Sequence, residues 1–222
     1  MKLITKSSAP TSFQQYKLKE HTSYKTMDSD VKKDLQQALL DEQKGICAYC
    51  QQKIAIDTMT IEHHCEHSIC DGSNGTTDRR LDYSNLFAVC FGQGGGHNSS
   101  IKHCDTQKSK FDANNGLPME LLPTNRAHMQ TISYSTNGKI KSSNTKYDNE
   151  LNRFLNLNVF FLKDIRKQLW STVFRLCYNP KTKQLNKKKM QRLLETKLTL
   201  TNNHYANHFP GMYEYMMTKY CS

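Results

Sequence analysis

Four cysteines in two pairs constrain this chain more than any other feature: Cys47-x-x-Cys50, then Cys90 and Cys104. Four thiolates can close one tetrahedral zinc site, which ties together the segments that carry them. Between the pairs lie Glu62-His63 and Asn85-Leu86, and Asp105 and Lys108 follow the last thiol. A lone C-x-x-C can be a redox motif, a zinc half-site or chance, and no βαβ pattern surrounds Cys47 and Cys50 to favour the first. Four thiols bracketing an acid-histidine step point instead to a structural metal that gathers catalytic groups into one small unit. The expectation is a metal-dependent nuclease.

The charge balance agrees with it. Thirty-one Lys and Arg against twenty Asp and Glu give a net charge of +11 and a pI near 9.2. Such a surface favours a polyanion, because neutralising phosphates releases counterions. Nucleic acid is the natural partner, although solvated lysines would give the same total. The first residues, Met1 to Lys6, show no secretory pattern, so the thiols are expected in a reducing cytoplasm. The longest compact apolar stretch, Val159-Phe160-Phe161-Leu162, falls far short of the ~20 residues of a membrane span. No membrane role is expected.

Three segments can be distinguished: 1–46, 47–115 and 116–222. Residues 1 to 27 are polar and aperiodic, with Pro10, Phe13 and Tyr16 as docking points. Val31, Leu35, Ala38 and Leu39 recur at helical spacing, after a cap among Asp28, Ser29 and Asp30 and before a stop at Gly45. Ile54, Ile56 and Thr60-Ile61 alternate around Asp57-Thr58, which predicts a local hairpin ending at Glu62-His63. Asp82 to Asn85 predicts a turn into Leu86-Phe87-Ala88-Val89, and Gly94-Gly95-Gly96 marks a flexible insertion before Cys104. Asp105 is expected in the first turn of a helix that contains Lys108. From Asp148 onward Leu151, Leu155, Leu162, Ile165, Leu169 and Val173 keep helical spacing, broken once, and Lys187 to Leu200 offers another amphipathic helix. The predicted class is α+β, a small zinc-stabilised strand-strand-helix unit embedded in a mainly α-helical chain.

These residues resemble the HNH (ββα-metal) endonucleases, and more closely the PtuB-type nucleases of bacterial Septu and retron-linked antiphage systems. The likeness runs through Glu42-Gln43-x-Gly45-Ile46-Cys47-Ala48-Tyr49-Cys50, Ile61-Glu62-His63, Leu81-Asp82-Tyr83-x-Asn85-Leu86, Cys90 and His103-Cys104-Asp105-x-x-Lys108, with a further match at His208-Phe209-Pro210-Gly211-Met212. The resemblance implies that His63 is the general base and Asn85 the residue orienting it. Cys47, Cys50, Cys90 and Cys104 would hold structural Zn²⁺, and Glu62 and Asp105 one catalytic Mg²⁺ or Mn²⁺. It further implies an antiphage effector acting on DNA, with RNA including tRNA left open, beside a PtuA-like ATPase and a retron reverse transcriptase with its RNA-DNA complex. The helical tail would be the ATPase docking surface.

The chain departs from the commonest form of that pattern. Glu62 stands where Asp is usual, and Asp105 where the last histidine often sits, so both still supply carboxylate oxygens. His64, His67, His97 and His103 crowd the motif. Isolated histidines are more often structural or surface groups, and His103, beside Cys104, is the strongest competitor for either metal. Lys108 is expected on a helix surface, solvated or steadying phosphate. Cys65, Cys70, Cys177 and Cys221 fit no paired spacing and are read as ordinary thiols. A zinc module that binds nucleic acid or a partner without catalysis would need the four thiols but neither Glu62-His63 nor Asp105.

Overall fold

The computed structural model describes residues 1–73, 75, 77–93, 101–115 and 118–221, with the side chains of 111–115 left aside. Helix α1 (Thr11–Lys17) is followed by α2 (Ser29–Glu42). Phe13 and Tyr16 of α1 are buried, so the expected docking points are core residues of a helix that two aromatics anchor. Helix α2 buries Leu35, Leu39 and Leu40. Gly45 N–H bonds to Leu40 O and Lys44 N–H to Asp41 O, a Schellman ending in which Lys44, at φ 57°, is the left-handed residue. Gly45 is left-handed as well, and a Cβ there would come within 2.9 Å of the His204 ring.

Strand β1 (Met59–His63) pairs antiparallel with β2 (Leu86–Cys90), in a register that sets Glu62 opposite Phe87 and His63 opposite Leu86. The predicted local hairpin does not form. Ile56–Thr58 is a 3₁₀ turn and Ile54 precedes it, because the apolar face of β1 is buried against a strand from beyond a long loop. Tyr83–Asn85 forms the expected turn, capped by the Asp82 side chain accepting from Ser84 N–H. Helix α3 (Cys104–Asn115) then packs on β2, completing the strand-strand-helix order. Gly94-Gly95-Gly96 and His97 lie outside the described residues.

The remainder is helices with small hairpins. Helix α4 (Arg126–Gln130) leads into β3 (Ile132–Tyr134) and β4 (Ile140–Ser142), and α5 (Thr145–Asn149) continues as a π-helical turn, Glu150–Phe154. After the break comes α6 (Phe160–Cys177), which buries Leu162, Arg166, Trp170, Val173 and Cys177. Two-residue strands β5 (Tyr178–Asn179) and β6 (Gln184–Leu185) precede α7 (Lys187–Lys197), and β7 (Leu200–Thr201) and β8 (His204–Tyr205) precede α8 (Pro210–Tyr220). Buried residues from all three segments join one hydrophobic core. Among the hydrogen bonds holding this part to the strand unit, Cys104 N–H donates to Leu155 O, and Gln51 accepts from Phe209 N–H and Gly211 N–H. A Cβ at Gly211 would meet Gln51 Oε1 and Met1 O at 2.8 Å, which accounts for glycine there. The fold is thus mixed helix and sheet with small antiparallel sheets, and no described helix is long and apolar enough to cross a membrane.

Candidate metal and catalytic centre

The four cysteines converge. Their sulfurs all lie within 4.8 Å of one another, the one such meeting of three or more metal-ligating side chains among the described residues. A tetrahedral zinc with Zn–S of about 2.3 Å separates its sulfurs by about 3.8 Å. Cys50 and Cys90 stand 3.7 Å apart, and Cys47 and Cys104 3.9 Å. The donors therefore fit zinc in number, chemistry and spacing. Backbone geometry fits too, since Gln51 in the knuckle and Cys104 itself hold left-handed conformations (φ 65° and 52°) that other contacts must enforce. The Gln43 side chain braces the knuckle by donating to Ile46 O and Ala88 O and accepting from Ala88 N–H. His103 does not replace a thiol. It is buried with Nε2 3.6 Å from Cys90 Sγ, in position to donate to that sulfur from outside the set of four.

Cys104 ends this cluster and Asp105 begins the next. Glu62, 5 % exposed, is 2.9 Å from Lys108 Nζ and accepts from the Tyr49 hydroxyl at 3.3 Å. Burial pushes its carboxyl well above the usual carboxylate range; Lys108 opposes the shift, and a hydrogen bond with Asp105 and its charge reinforce it. Lys108 also lies 3.7 Å from Glu66 and donates to His63 O at 3.3 Å. It has no exposed surface, which corrects the expectation of a solvated or phosphate-steadying lysine. The helix turns it inward because β1 and the following loop bring two carboxylates to it, and a buried ammonium needs such partners. Glu62 and Asp105 thus bring carboxylate oxygens, the donor type a hard divalent ion takes, next to one another.

His63 sits at the end of β1, 7 % exposed. Its Nε2 is 3.0 Å from Arg80 O; a carbonyl only accepts, so this nitrogen carries the proton and Nδ1 is the basic one. Burial, then the neighbouring His67, lowers its pKa to about 4, keeping the ring neutral near pH 7. Asn85 is 1 % exposed and clamps the loop: its side chain accepts from Cys65 N–H and donates to Cys65 O and Arg79 O. His64 N–H bonds to Asn85 O. The His64 ring turns inward, edge-on to Phe87 and 3.4 Å from the Tyr49 hydroxyl, and burial with nearby Lys108 lowers its pKa to about 3. Its Nδ1 shares the Tyr49 hydroxyl with Glu62.

Cys65 and Cys70 are joined by a disulfide, contrary to their reading as ordinary thiols, whereas Cys177 and Cys221 are free. The turn that carries Cys70 N–H to Glu66 O brings their Cα atoms to 5.9 Å, within bridging range. Three neighbours of this centre escaped the sequence reading, Tyr24, Tyr49 and Glu66, whereas His67 was counted among the histidines crowding the motif and read as a structural or surface group. Tyr49 falls inside the cysteine knuckle and His67 four residues after His63, the two spacings that offered a signal. Tyr24 comes from the amino-terminal segment, edge-on to His63 at 4.7 Å, and carried none. No protein-family model matches the chain, and no curated protein matches it either.

Proposed function

We propose that this protein is a metal-dependent endonuclease of the HNH type, hydrolysing phosphodiester bonds in nucleic acid, with DNA as the first substrate to test. One observation carries the reading: Glu62 and His63 end a strand at the point where Asp105, in the first turn of the following helix, reaches the Glu62 carboxylate. A zinc module has no use for that convergence. In this reading neutral His63 withdraws a proton from water, Arg80 O fixes which ring nitrogen accepts it, and Asn85 holds the loop in register. Glu62 and Asp105 would hold the divalent ion, which when bound stabilises charge on the phosphate and the departing oxygen. The net charge of +11 supports a polyanionic substrate. The role in antiphage defence beside a PtuA-like ATPase rests on the sequence resemblance.

The Glu62–Lys108 ion pair is the observation favouring a zinc-stabilised binding module without catalysis, because it gives the carboxylate an internal partner. The test is cleavage of plasmid DNA, single-stranded DNA and tRNA in Mg²⁺ or Mn²⁺, with any co-expressed ATPase retained, beside His63→Ala. The expected result is cleavage that falls by about 10² to 10⁴ in the variant. Zinc-loaded protein that binds nucleic acid and cuts none of it overturns the nuclease in favour of the module.

A further inference from the structure

Against the strand end that carries His63 lies a cavity of about 970 Å³. One wall is the segment that follows α1, with Lys17, Tyr24 and Lys25; the other is the turn and loop after β1, with His67, Asp78 and Arg80. Three of these residues touch His63. The Tyr24 and His67 rings lie 4.7 and 4.0 Å from it between centroids, and Arg80 O is 3.0 Å from its Nε2. Burial, then the charges of Asp105 and Glu62, push the Tyr24 phenol up to about 12, so a neutral tyrosine stands between the cavity and the carboxylates.

The two walls differ in charge. Lys17 and Lys25 are exposed and have no ion-pair partner among the described residues, and Lys32 Nζ stands over the Tyr24 ring, 5.3 Å from its centre. On the facing wall Asp78 is held by Arg80 at 2.7 Å and Asp82 by Arg79 at 3.0 Å, while Asp71, near Arg80, accepts from Ser73 N–H. Those acids are answered within their own wall, and the lysines are left for an anion. Both walls are also fixed in place. The buried Tyr16 of α1 donates its hydroxyl to Ser23 O, and the Cys65–Cys70 disulfide closes the opposite turn, which Asn85 clamps. A cavity prepared in this way loses little freedom when it is filled.

We infer that this cavity receives one unpaired nucleotide of a single-stranded nucleic acid, its base against the Tyr24 ring and its backbone phosphates on Lys17 and Lys25. This deepens the nuclease reading and rests on it for the cut that follows. The volume is that of a small-molecule pocket, which runs up to about 1,000 Å³. A duplex keeps its bases stacked inside and offers phosphates alone, so it would leave such a cavity unfilled. An unpaired strand can turn a base into it, and any base has a π-face for an aromatic side chain. A nucleotide seated there sets the neighbouring phosphate beside His63, Glu62 and Asp105.

The test is binding, read by fluorescence anisotropy. The zinc-loaded full chain, without added Mg²⁺ or Mn²⁺, is titrated into a short fluorescein-labelled oligonucleotide, as DNA and as RNA, each single-stranded and as a blunt duplex. The single strand is expected to bind about tenfold more tightly than the duplex. Lys17→Gln combined with Lys25→Gln should weaken single-strand binding and flatten its dependence on log salt by about 1.4, at about 0.7 for each lost phosphate contact. Tyr24→Leu should weaken binding about tenfold with the salt slope unchanged, and Tyr24→Phe, which keeps the ring, should bind as wild type does. Tighter binding of the DNA or of the RNA strand through these residues supports the inference and names the sugar. A duplex bound as tightly as the single strand, wild-type affinity in the lysine variant or in Tyr24→Leu, or a Tyr24→Phe as weak as Tyr24→Leu would overturn it, whether or not the protein cuts. Single-strand binding that depends on these residues in a protein that cuts nothing in Mg²⁺ or Mn²⁺ would keep the cavity and overturn the nuclease reading alone.

Discussion

Two ligand sets share the same strands and helix yet are built on opposite terms. Cys90 ends β2, Cys104 opens α3, and the very next residue, Asp105, belongs to the other set with Glu62 of β1. The thiols stand at the spacing a tetrahedral metal needs, 3.7 and 3.9 Å. The carboxylates are instead gathered around buried Lys108, 2.9 Å from Glu62 and 3.7 Å from Glu66. Converging carboxylates need a positive charge to stay buried. The first set would be a fastening; in the proposed nuclease the second is adjustable, because a divalent ion would compete with Lys108 for the same oxygens.

Removing the fastening has the largest expected effect. The four thiols hold the knuckle, β2 and α3 together, so stripping zinc or making Cys104→Ser should unfold the strand unit. Structural zinc is worth roughly 10 kcal/mol or more in small zinc modules. Elemental analysis should find one zinc per chain, and a strong chelator should lower the thermal midpoint sharply. A melt that ignores chelation would break the comparison by showing that hydrophobic packing alone carries the fold.

Next in size is the cation that holds the carboxylates. Lys108→Met leaves Glu62 buried and uncompensated, and breaking a buried pair from one side costs about 3–5 kcal/mol. The double variant Lys108→Met with Glu62→Leu should recover most of that loss, since neither charge then needs a partner. Chemical denaturation of the single and double variants measures it. A single variant as stable as wild type would mean that Asp105 and Glu62 share a proton and that Lys108 contributes little.

The difference between the two sets also decides what the sequence could reveal. Thiol ligands come at fixed local spacing, so Cys47-x-x-Cys50 announces its role by itself, and Glu62-His63 before Asn85 and Asp105 is legible as a pattern. The strand partner of Glu62 is not, because β2 lies beyond a long loop and local alternation around Asp57 suggested a nearer one. Lys108 was misplaced for a physical reason: lysine is almost never fully buried unless paired, and its partners come from a strand and a loop remote in sequence. Tyr24 and His67 illustrate the same limit, since their relation to His63 exists only once residues 17 to 25 and the turn after β1 close over the strand end. The small hairpins of the carboxyl-terminal part, two residues per strand in β5 to β8, have too little alternation to be read at all.

The smallest effect belongs to the remaining cysteine pair, and it separates bridging thiols from metal-binding ones. Cys65 and Cys70 are five positions apart, and cross-linking so short a loop stabilises by only ~2 kcal/mol in the chain-entropy description. Asn85 holds Cys65 through two backbone hydrogen bonds in any case, so Cys70→Ser should cost less than this ceiling. A mild reductant should shift the wild-type denaturation midpoint by the same small amount and leave that of Cys70→Ser unmoved, with zinc content constant throughout. Loss of zinc on reduction or in Cys70→Ser would join this pair to the metal site and erase the distinction; constant zinc with a small midpoint shift makes the bridge a local brace for the turn carrying His67, separate from the fastening that holds the strands.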